Sequence, residues 1–200
     1  HFHYVVAPGT IFALFAGIYH WFPKMTGRQM STTLGHLHFW PSLICMNGVF
    51  LPMFFQGMAG FHRRAFDGGK AYEQISGQTF AEPNSFFANI CEFFRVIEPD
   101  AAVRLIDLNI ITSGFAWILA IVQVPFVINL FGAAFFGRKT NSDNPWEATT
   151  LEWATPTPPP HGNFASEPVA YRGPYEYSVP GAEDDFTPQF EDDPPVAGGK

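Results

Sequence analysis

The sequence predicts an all-α integral membrane protein, a helix bundle followed by an extended, Pro-rich, acidic C-terminal tail. Three apolar segments, about 1–22, 34–59 and 110–136, are each long enough to cross a bilayer and carry almost no charge. Residues 141–200 differ sharply, because they hold two basic side chains against eleven acidic ones and are rich in Pro and Gly. We therefore assign residues 1–140 to the membrane helices and 141–200 to an extended cytoplasmic tail.

The first span opens with two histidines, His1 and His3, separated by one residue. Residues two apart in a helix are turned by about 200° around the axis, so the two imidazoles point to opposite sides and cannot bind one metal together. Two planar cofactors, one on each side of the helix, would explain the pair. Histidines that cap a helix at the lipid headgroups would explain it as well, and the spacing alone leaves both interpretations open.

The second and third spans contain polar residues that need partners inside a bundle. We expect the polar groups of Gln123 and Asn129 to face other helices rather than lipid. His36 and His38 repeat the H-x-H spacing at the opposite end of the second span, and we interpret them as hydrogen-bonded structural residues. The remaining histidines have no chemical cluster around them, and structural or solvated roles are expected for His20, His62 and His161.

Basic residues predict the orientation of the spans. Lys24 and Arg28 lie in a short connection without acidic residues, and Arg138 and Lys139 follow the third span. Both sites are expected on the cytoplasmic side, so the His1 end of the first span faces outward.

The long connection between the second and third spans predicts a short amphipathic helix at about 85–98. Its apolar residues recur at helical spacing, with Asn84 or Ser85 as the N-cap and Pro99 as a stop. We expect its apolar face to pack on its own subunit. A helix lying flat at the outer membrane surface, or docking of segment 79–105 on a partner subunit, remains an alternative.

Two adjacent arginines, Arg63 and Arg64, follow the second span at its outer end. An unpaired Arg at the bilayer centre costs roughly 2.5–3.5 kcal/mol on insertion scales, so these side chains must lie near the interface or meet anions. In the predicted topology they lie at the same depth as His1 and His3. Guanidinium groups bind carboxylates in a two-pronged fashion, so arginines for haem propionates and histidines for iron would form one coherent site. Lipid phosphates are the alternative partners of the arginines.

Three stretches together resemble subunit I of the haem-copper oxidases, specifically cytochrome c oxidases of the aa3 type. The stretches are HFHYVVAPGTIFALFAGIYHWFPKMTG, TLGHLHFWPSLICMNGVFLPMFFQGMAGFHRR and NPWEATTLEWATPTPPP. They cover most of residues 1–64 and 144–160. The resemblance, and the absence of an initiator Met, lead us to expect the C-terminal part of a larger membrane bundle of about twelve helices. The segment from about 67 to 109 is longer than the usual connection in this family.

The resemblance implies roles for five residues by position. His1 matches the proximal ligand of the high-spin haem a3, which faces a copper ion, and His3 matches an axial ligand of the low-spin haem a. Phe2 lies in the gap between the two haems. Arg63 and Arg64 match the arginines that contact haem propionates.

The function that the resemblance implies is that of the catalytic subunit of a terminal respiratory oxidase in the bacterial inner membrane. Such an enzyme reduces O2 to water with electrons from cytochrome c at a haem a3–copper centre and couples this to proton pumping. The implied cofactors are haem a, haem a3 and copper B, whose ligands we expect upstream of this chain. The implied partners are subunits II and III, cytochrome c, the lipid bilayer and a respiratory supercomplex partner, without nucleic acid. A quinol oxidase of the same superfamily and a haem-free structural membrane subunit are the alternatives.

Overall fold

Three long helices dominate the computed structural model, which describes residues 2–62, 64, 67, 69–174 and 186–192. Each of the three is long and apolar enough to cross a membrane: α1 (Phe2–Thr26), α2 (Thr32–Met58) and α5 (Leu108–Phe136). Shorter elements fill the connection between α2 and α5: α3 (Glu73–Ser76), β1 (Thr79–Ala81), α4 (Phe86–Phe93) and β2 (Val103–Arg104). The prediction of an all-α protein with three membrane helices is confirmed.

The chain forms two compact units. The first contains His1–Phe15 and Thr32–Asn129, and the second contains Ala16–Ser31 and Leu130–Lys200. Helices α1 and α5 therefore contribute residues to both units.

A buried polar network joins α2 and α5 in the first unit. Nε2 of His38 lies 3.0 Å from Oε1 of Gln123, and Nε2 of Gln123 donates to Oγ of Ser42 at 3.3 Å. The rings of Phe15 and Phe126 lie 4.6 and 5.1 Å from the imidazole of His38. His38 is thus a hydrogen-bonded structural residue, and Gln123 faces a neighbouring helix, as the sequence predicts.

Two further contacts tie α2 to α5 in this unit. At Gly48 the helices are so close that a Cβ would overlap the ring of Phe115, the kind of approach that small residues permit between membrane helices. Near the end of α2, Nε2 of the buried Gln56 donates to the carbonyl of Leu105 at 2.7 Å and to Oδ1 of Asn109 at 2.8 Å. The end of α2 is therefore fixed against the beginning of α5.

The connection between α2 and α5 folds into a small core. Strand β1 pairs antiparallel with β2, a pair too short for the sequence pattern to reveal. Arg104, the last residue of β2, donates to the carboxylate of Asp107 at 2.9 Å. These contacts surround a cluster of buried apolar side chains, namely Ala88, Cys91, Val103, Leu105, Leu108 and Ile111.

Helix α4 begins and ends through local hydrogen bonds. The hydroxyl of Ser85 accepts from the N–H of Ala88 at 3.2 Å, which selects Ser85 as the N-cap. The helix ends at Phe93, earlier than the predicted 98, because Arg95 adopts a left-handed backbone with φ 55°. The N–H groups of Arg95 and Val96 then donate to the carbonyls of Glu92 and Cys91, both at 2.8 Å. This Schellman motif satisfies the final carbonyls before Pro99 is reached.

In the second unit, the tail is fastened to the C-terminal end of α1. The ammonium of Lys24 donates to the carbonyl oxygens of Asp143 at 3.0 Å and Trp153 at 3.4 Å, and also to that of Thr155. It lies 5.7 Å from the centre of the Trp153 ring. The tail residues around Trp153 are therefore ordered by a buried cation of α1.

The two tryptophans of the tail extend this contact to His20. The indole N–H of Trp146 donates to the carbonyl of His20 at 2.8 Å. The indole of Trp146 also stacks on the imidazole of His20, with ring centres 6.1 Å apart. The ring of Trp153 lies 5.0 Å from the same imidazole. His20 thus has a structural role, as expected.

Candidate cofactor site at the start of α1

Three of the five predicted site residues belong to the described part of the chain, namely Phe2, His3 and Arg64. His1 and Arg63 lie outside the described residues. Phe2 and His3 occupy the first turn of α1, with ring centres 5.0 Å apart in an edge-on arrangement. Their proposed roles as neighbours of a cofactor remain predictions.

Tyr4 fixes the rotation of α1 at this end. Its hydroxyl donates to Oδ1 of Asn47 on α2, and Nδ2 of Asn47 donates to the carbonyl of Leu43 at 2.8 Å. The ring of Tyr4 also meets the edge of Phe50 at 6.4 Å. Successive residues of a helix are turned by about 100°, so tying Tyr4 to α2 sets the direction in which His3 points.

His3 and Arg64, distant in sequence, line the same cavity of about 750 Å³. This volume lies within the range of about 300–1,000 Å³ that is typical of small-molecule and cofactor sites. The walls are mostly aromatic and apolar, with a few polar groups: Phe2, Tyr4, Phe50, Met53, Phe54, Gln56, Gly57, Phe61, His62, Asn109, Thr112 and Ser113. His3 and Arg64 therefore lie on one concave surface, and their roles in binding a cofactor stay predictions.

Arg64 reaches this cavity from an unusual backbone conformation. Its φ is 60°, in the left-handed region that residues other than Gly rarely adopt. Such conformations cost of order 1–3 kcal/mol and persist where the surrounding structure imposes them, often at ligand sites. Arg64 thus brings to the cavity lining a residue whose guanidinium carries positive charge and paired N–H donors suited to a carboxylate.

A polar stripe of α5 forms part of the cavity wall, and sequence reasoning missed it. Asn109, Thr112 and Ser113 are spaced i, i+3 and i+4 and therefore share one face at the start of α5. That spacing, at the end of an otherwise apolar span, was the available signal. Oγ1 of Thr112 is buried and has no hydrogen-bond partner among the described residues.

The chemistry of the donor set suits a haem. A helix-borne imidazole is the usual axial ligand of haem iron, and Arg binds propionate carboxylates. Apolar walls suit the porphyrin face, and the unpaired Thr112 hydroxyl offers a further donor to a polar substituent. Within the described residues, no three His, Cys, Asp or Glu side chains cluster as a metal site. A haem iron would take only one or two axial ligands from the protein, so an imidazole such as that of His3 would not need to belong to such a cluster.

Comparison with known proteins places the chain in a family. Residues 1–94 match the family described as cytochrome c and quinol oxidase polypeptide I. The chain is 39% identical over 200 residues to the alternative cytochrome c oxidase subunit 1 of Bradyrhizobium diazoefficiens, covering 99% of this chain and 29% of that protein.

Two further relatives are cytochrome c oxidase subunits 1. The protein of Synechocystis sp. is 40% identical over 179 residues, which cover 90% of this chain and 26% of the relative. The protein of Corynebacterium diphtheriae is 34% identical over 169 residues, which cover 84% and 24%. The chain therefore spans less than a third of the length of these relatives.

The family match includes part of the cavity wall. His3 and Arg64 both fall within the matched residues 1–94, and the three apolar helices are those of a multi-pass membrane protein. The bacterial relatives are consistent with a bacterial inner membrane. This chain belongs to the family of cytochrome c and quinol oxidase polypeptide I, the subunit I of the haem-copper oxidases.

Proposed function

We propose that this chain forms part of the catalytic subunit of a haem-copper oxidase of the aa3 type. The whole enzyme would reduce O2 to water with electrons from cytochrome c and couple the reaction to proton pumping. The observation that carries the proposal is the placement of His3 and Arg64 on one cavity in a member of this family. The names of the relatives, cytochrome c oxidase subunit 1, support cytochrome c as the electron donor.

The two histidines would bind separate haems. His3 would provide an axial ligand to the iron of haem a, and His1 would provide the proximal ligand of haem a3. Side chains two apart on one helix are turned by about 200°, so α1 would stand between the two macrocycles with Phe2 in the gap. A bound haem supplies an iron that accepts and releases electrons, while the chain supplies its ligand, orientation and electrostatic surroundings.

The arginines would pair with haem propionates. The guanidinium of Arg64 would neutralise a carboxylate at the cavity wall, and Arg63 would act beside it. A nearby cation also stabilises the reduced, less positive form of the iron and so raises its midpoint potential.

The remaining parts of the enzyme would come from elsewhere in the protein and from other subunits. We assign the ligands of copper B to segments upstream of this chain, and we propose subunits II and III, cytochrome c and a supercomplex partner as contacts. Residues 1–140 would belong to the membrane bundle and 141–200 to a cytoplasmic tail.

The test of the haem ligands is the change His3→Ala in the full oxidase. A reduced-minus-oxidised absorption spectrum is expected to lose the low-spin haem signal and to keep the high-spin signal. The change His1→Ala should give the reverse pattern. Exposed His36 provides the matched control, since His36→Ala should leave both signals in place. Unchanged haem spectra in the His1 and His3 variants would refute the ligand assignment.

The test of the propionate pairing is the change Arg64→Gln. Removing the cation should lower the haem midpoint potential in a spectroelectrochemical titration, whereas Arg95→Gln, at an exposed site outside the cavity, should not. Equal potentials in the two variants would count against the pairing.

Because the family also includes quinol oxidases, the purified enzyme should be assayed with reduced cytochrome c and with a quinol in parallel. Faster turnover with the quinol would exclude the proposed donor.

A further inference from the structure

Helix α4 carries apolar side chains on two faces, and the described residues cover one of them. Ala88 and Cys91 point into the buried core of the connection. On the other side, Phe86, Asn89 and Phe93 are spaced i, i+3 and i+7 and form one exposed stripe. The two Phe side chains are 72% and 81% exposed. Packing within the described part of the chain therefore accounts for one face of α4, and the aromatic stripe is exposed there.

The ends of α4 rest on two different membrane spans. The ring of Phe87 lies 6.0 Å from that of Phe55 on α2, and the ring of Phe94 lies 6.0 Å from that of Phe115 on α5. Phe55 is three residues before the end of α2, which is about 5 Å along the helix axis. Phe115 is seven residues after the start of α5, or about 10 Å. Helix α4 is thus held alongside the outermost turns of the two spans.

These distances from the helix ends are of the size expected for a helix that lies in a membrane interface. Such helices bury their apolar face about 5–10 Å into the boundary between headgroups and acyl chains. The rings of Phe86 and Phe93 lie 5.6 and 5.2 Å from those of Phe87 and Phe94, which in turn contact the two spans. Phe is also among the residues that interfacial helices carry on the face that enters the membrane.

We propose that α4 is an interfacial anchor whose Phe86 and Phe93 insert into the lipid bilayer beside the ends of α2 and α5. The stripe itself is uncharged, and the segment around it is acidic, with Glu92, Glu98 and Asp100 against Arg95. Attraction to anionic headgroups therefore does not contribute, and burial of aromatic surface provides the affinity. The proposal depends on the membrane location of the chain and is independent of the haem assignment.

Photo-crosslinking in the full oxidase tests the proposal. A benzophenone amino acid is placed at position 86, at position 93, or at the exposed, charged Glu98 as the aqueous control. The enzyme is reconstituted into vesicles of phosphatidylcholine, with or without phosphatidylglycerol, and irradiated. Mass spectrometry should find lipid adducts at positions 86 and 93 in both kinds of vesicle, and a marked loss of adduct at position 98.

Three results would overturn the proposal. Crosslinks from position 93 to another subunit would show that a protein covers the stripe. Equal lipid adducts at positions 93 and 98, or none at 86 and 93, would show that the stripe does not enter the bilayer. Because Phe86 and Phe93 are exposed, the substitutions leave the core around Cys91 intact. A melting temperature equal to that of the unlabelled enzyme confirms that each variant has folded.

Discussion

The change Lys24→Met should release the tail from the end of α1. Lys24 is only 4% exposed, and its ammonium donates to the main-chain carbonyls of Asp143, Trp153 and Thr155. Hydrogen bonds that involve a charged group contribute about 1.5–3 kcal/mol each, and a desolvated cation–π contact about 2 kcal/mol. These terms share a single ammonium and do not add, so we expect a loss of about 3 kcal/mol, close to that for breaking a buried charged contact.

A loss of about 3 kcal/mol raises the open population of the tail roughly 100-fold. Amide hydrogen exchange in the tail should therefore be about 100-fold faster in the variant. Suitable amides are that of Trp153, which donates to the Thr150 carbonyl, and that of Thr157, which donates to Oδ1 of Asp143. The matched control is Lys139→Met, which removes the same charge from an exposed side chain. Equal exchange rates in the two variants would refute the role assigned to the buried ammonium.

Two further predictions concern the first unit. Gly48→Ala should lower the free energy of unfolding by about 1–3 kcal/mol, because the added Cβ meets the Phe115 ring. Gly114→Ala is the control, since its Cβ meets no described atom within 4 Å, and equal melting temperatures of the two variants would contradict the close approach at Gly48. Burial, with Asp107 adding to it, raises the pKa of the Cys91 thiol, so the unreactive protonated form persists in the folded protein at pH values where an unfolded thiol ionises. Maleimide should label Cys91 only after denaturation; rapid labelling of the folded enzyme at mildly alkaline pH would show that its core is open.

The membrane helices could be predicted because a span needs only length and apolar composition. Both properties can be read from one continuous stretch of sequence, and the bounds of α1, α2 and α5 agree with the predicted segments within a few residues. The start of α4 could also be predicted from the sequence, because Ser85 is a favourable N-cap residue. Its end was not, because Arg95 takes the left-handed position that Gly usually occupies in a Schellman motif. Tertiary packing of Val96 and Cys91, rather than local propensity, determines that boundary.

The candidate site was predictable only where residue chemistry was distinctive. An imidazole and a guanidinium at the same membrane depth suggested a site, and His3 and Arg64 do line one cavity. Thr112 and Ser113 were overlooked because hydroxyl residues are ordinary in membrane helices, where they often bond to their own backbone. Ser113 does so, donating to the carbonyl of Asn109 at 2.8 Å, while the buried Thr112 hydroxyl has no partner in the described part of the chain. The sequence does not distinguish the Ser113 hydroxyl from the Thr112 hydroxyl, whereas the structure shows which of them bonds to the backbone.

The connection between α2 and α5 also supports the candidate site. Nε2 of Gln56 donates to the carbonyl of Leu105, which belongs to the core of the connection, and to Oδ1 of Asn109, which lines the cavity. One buried amide therefore links the folded connection to the wall beside His3. If α4 is anchored in the bilayer as proposed, the lipid contact also constrains this linkage, because α4 and Leu105 share one core. The connection would then brace the wall of the cavity from the membrane surface.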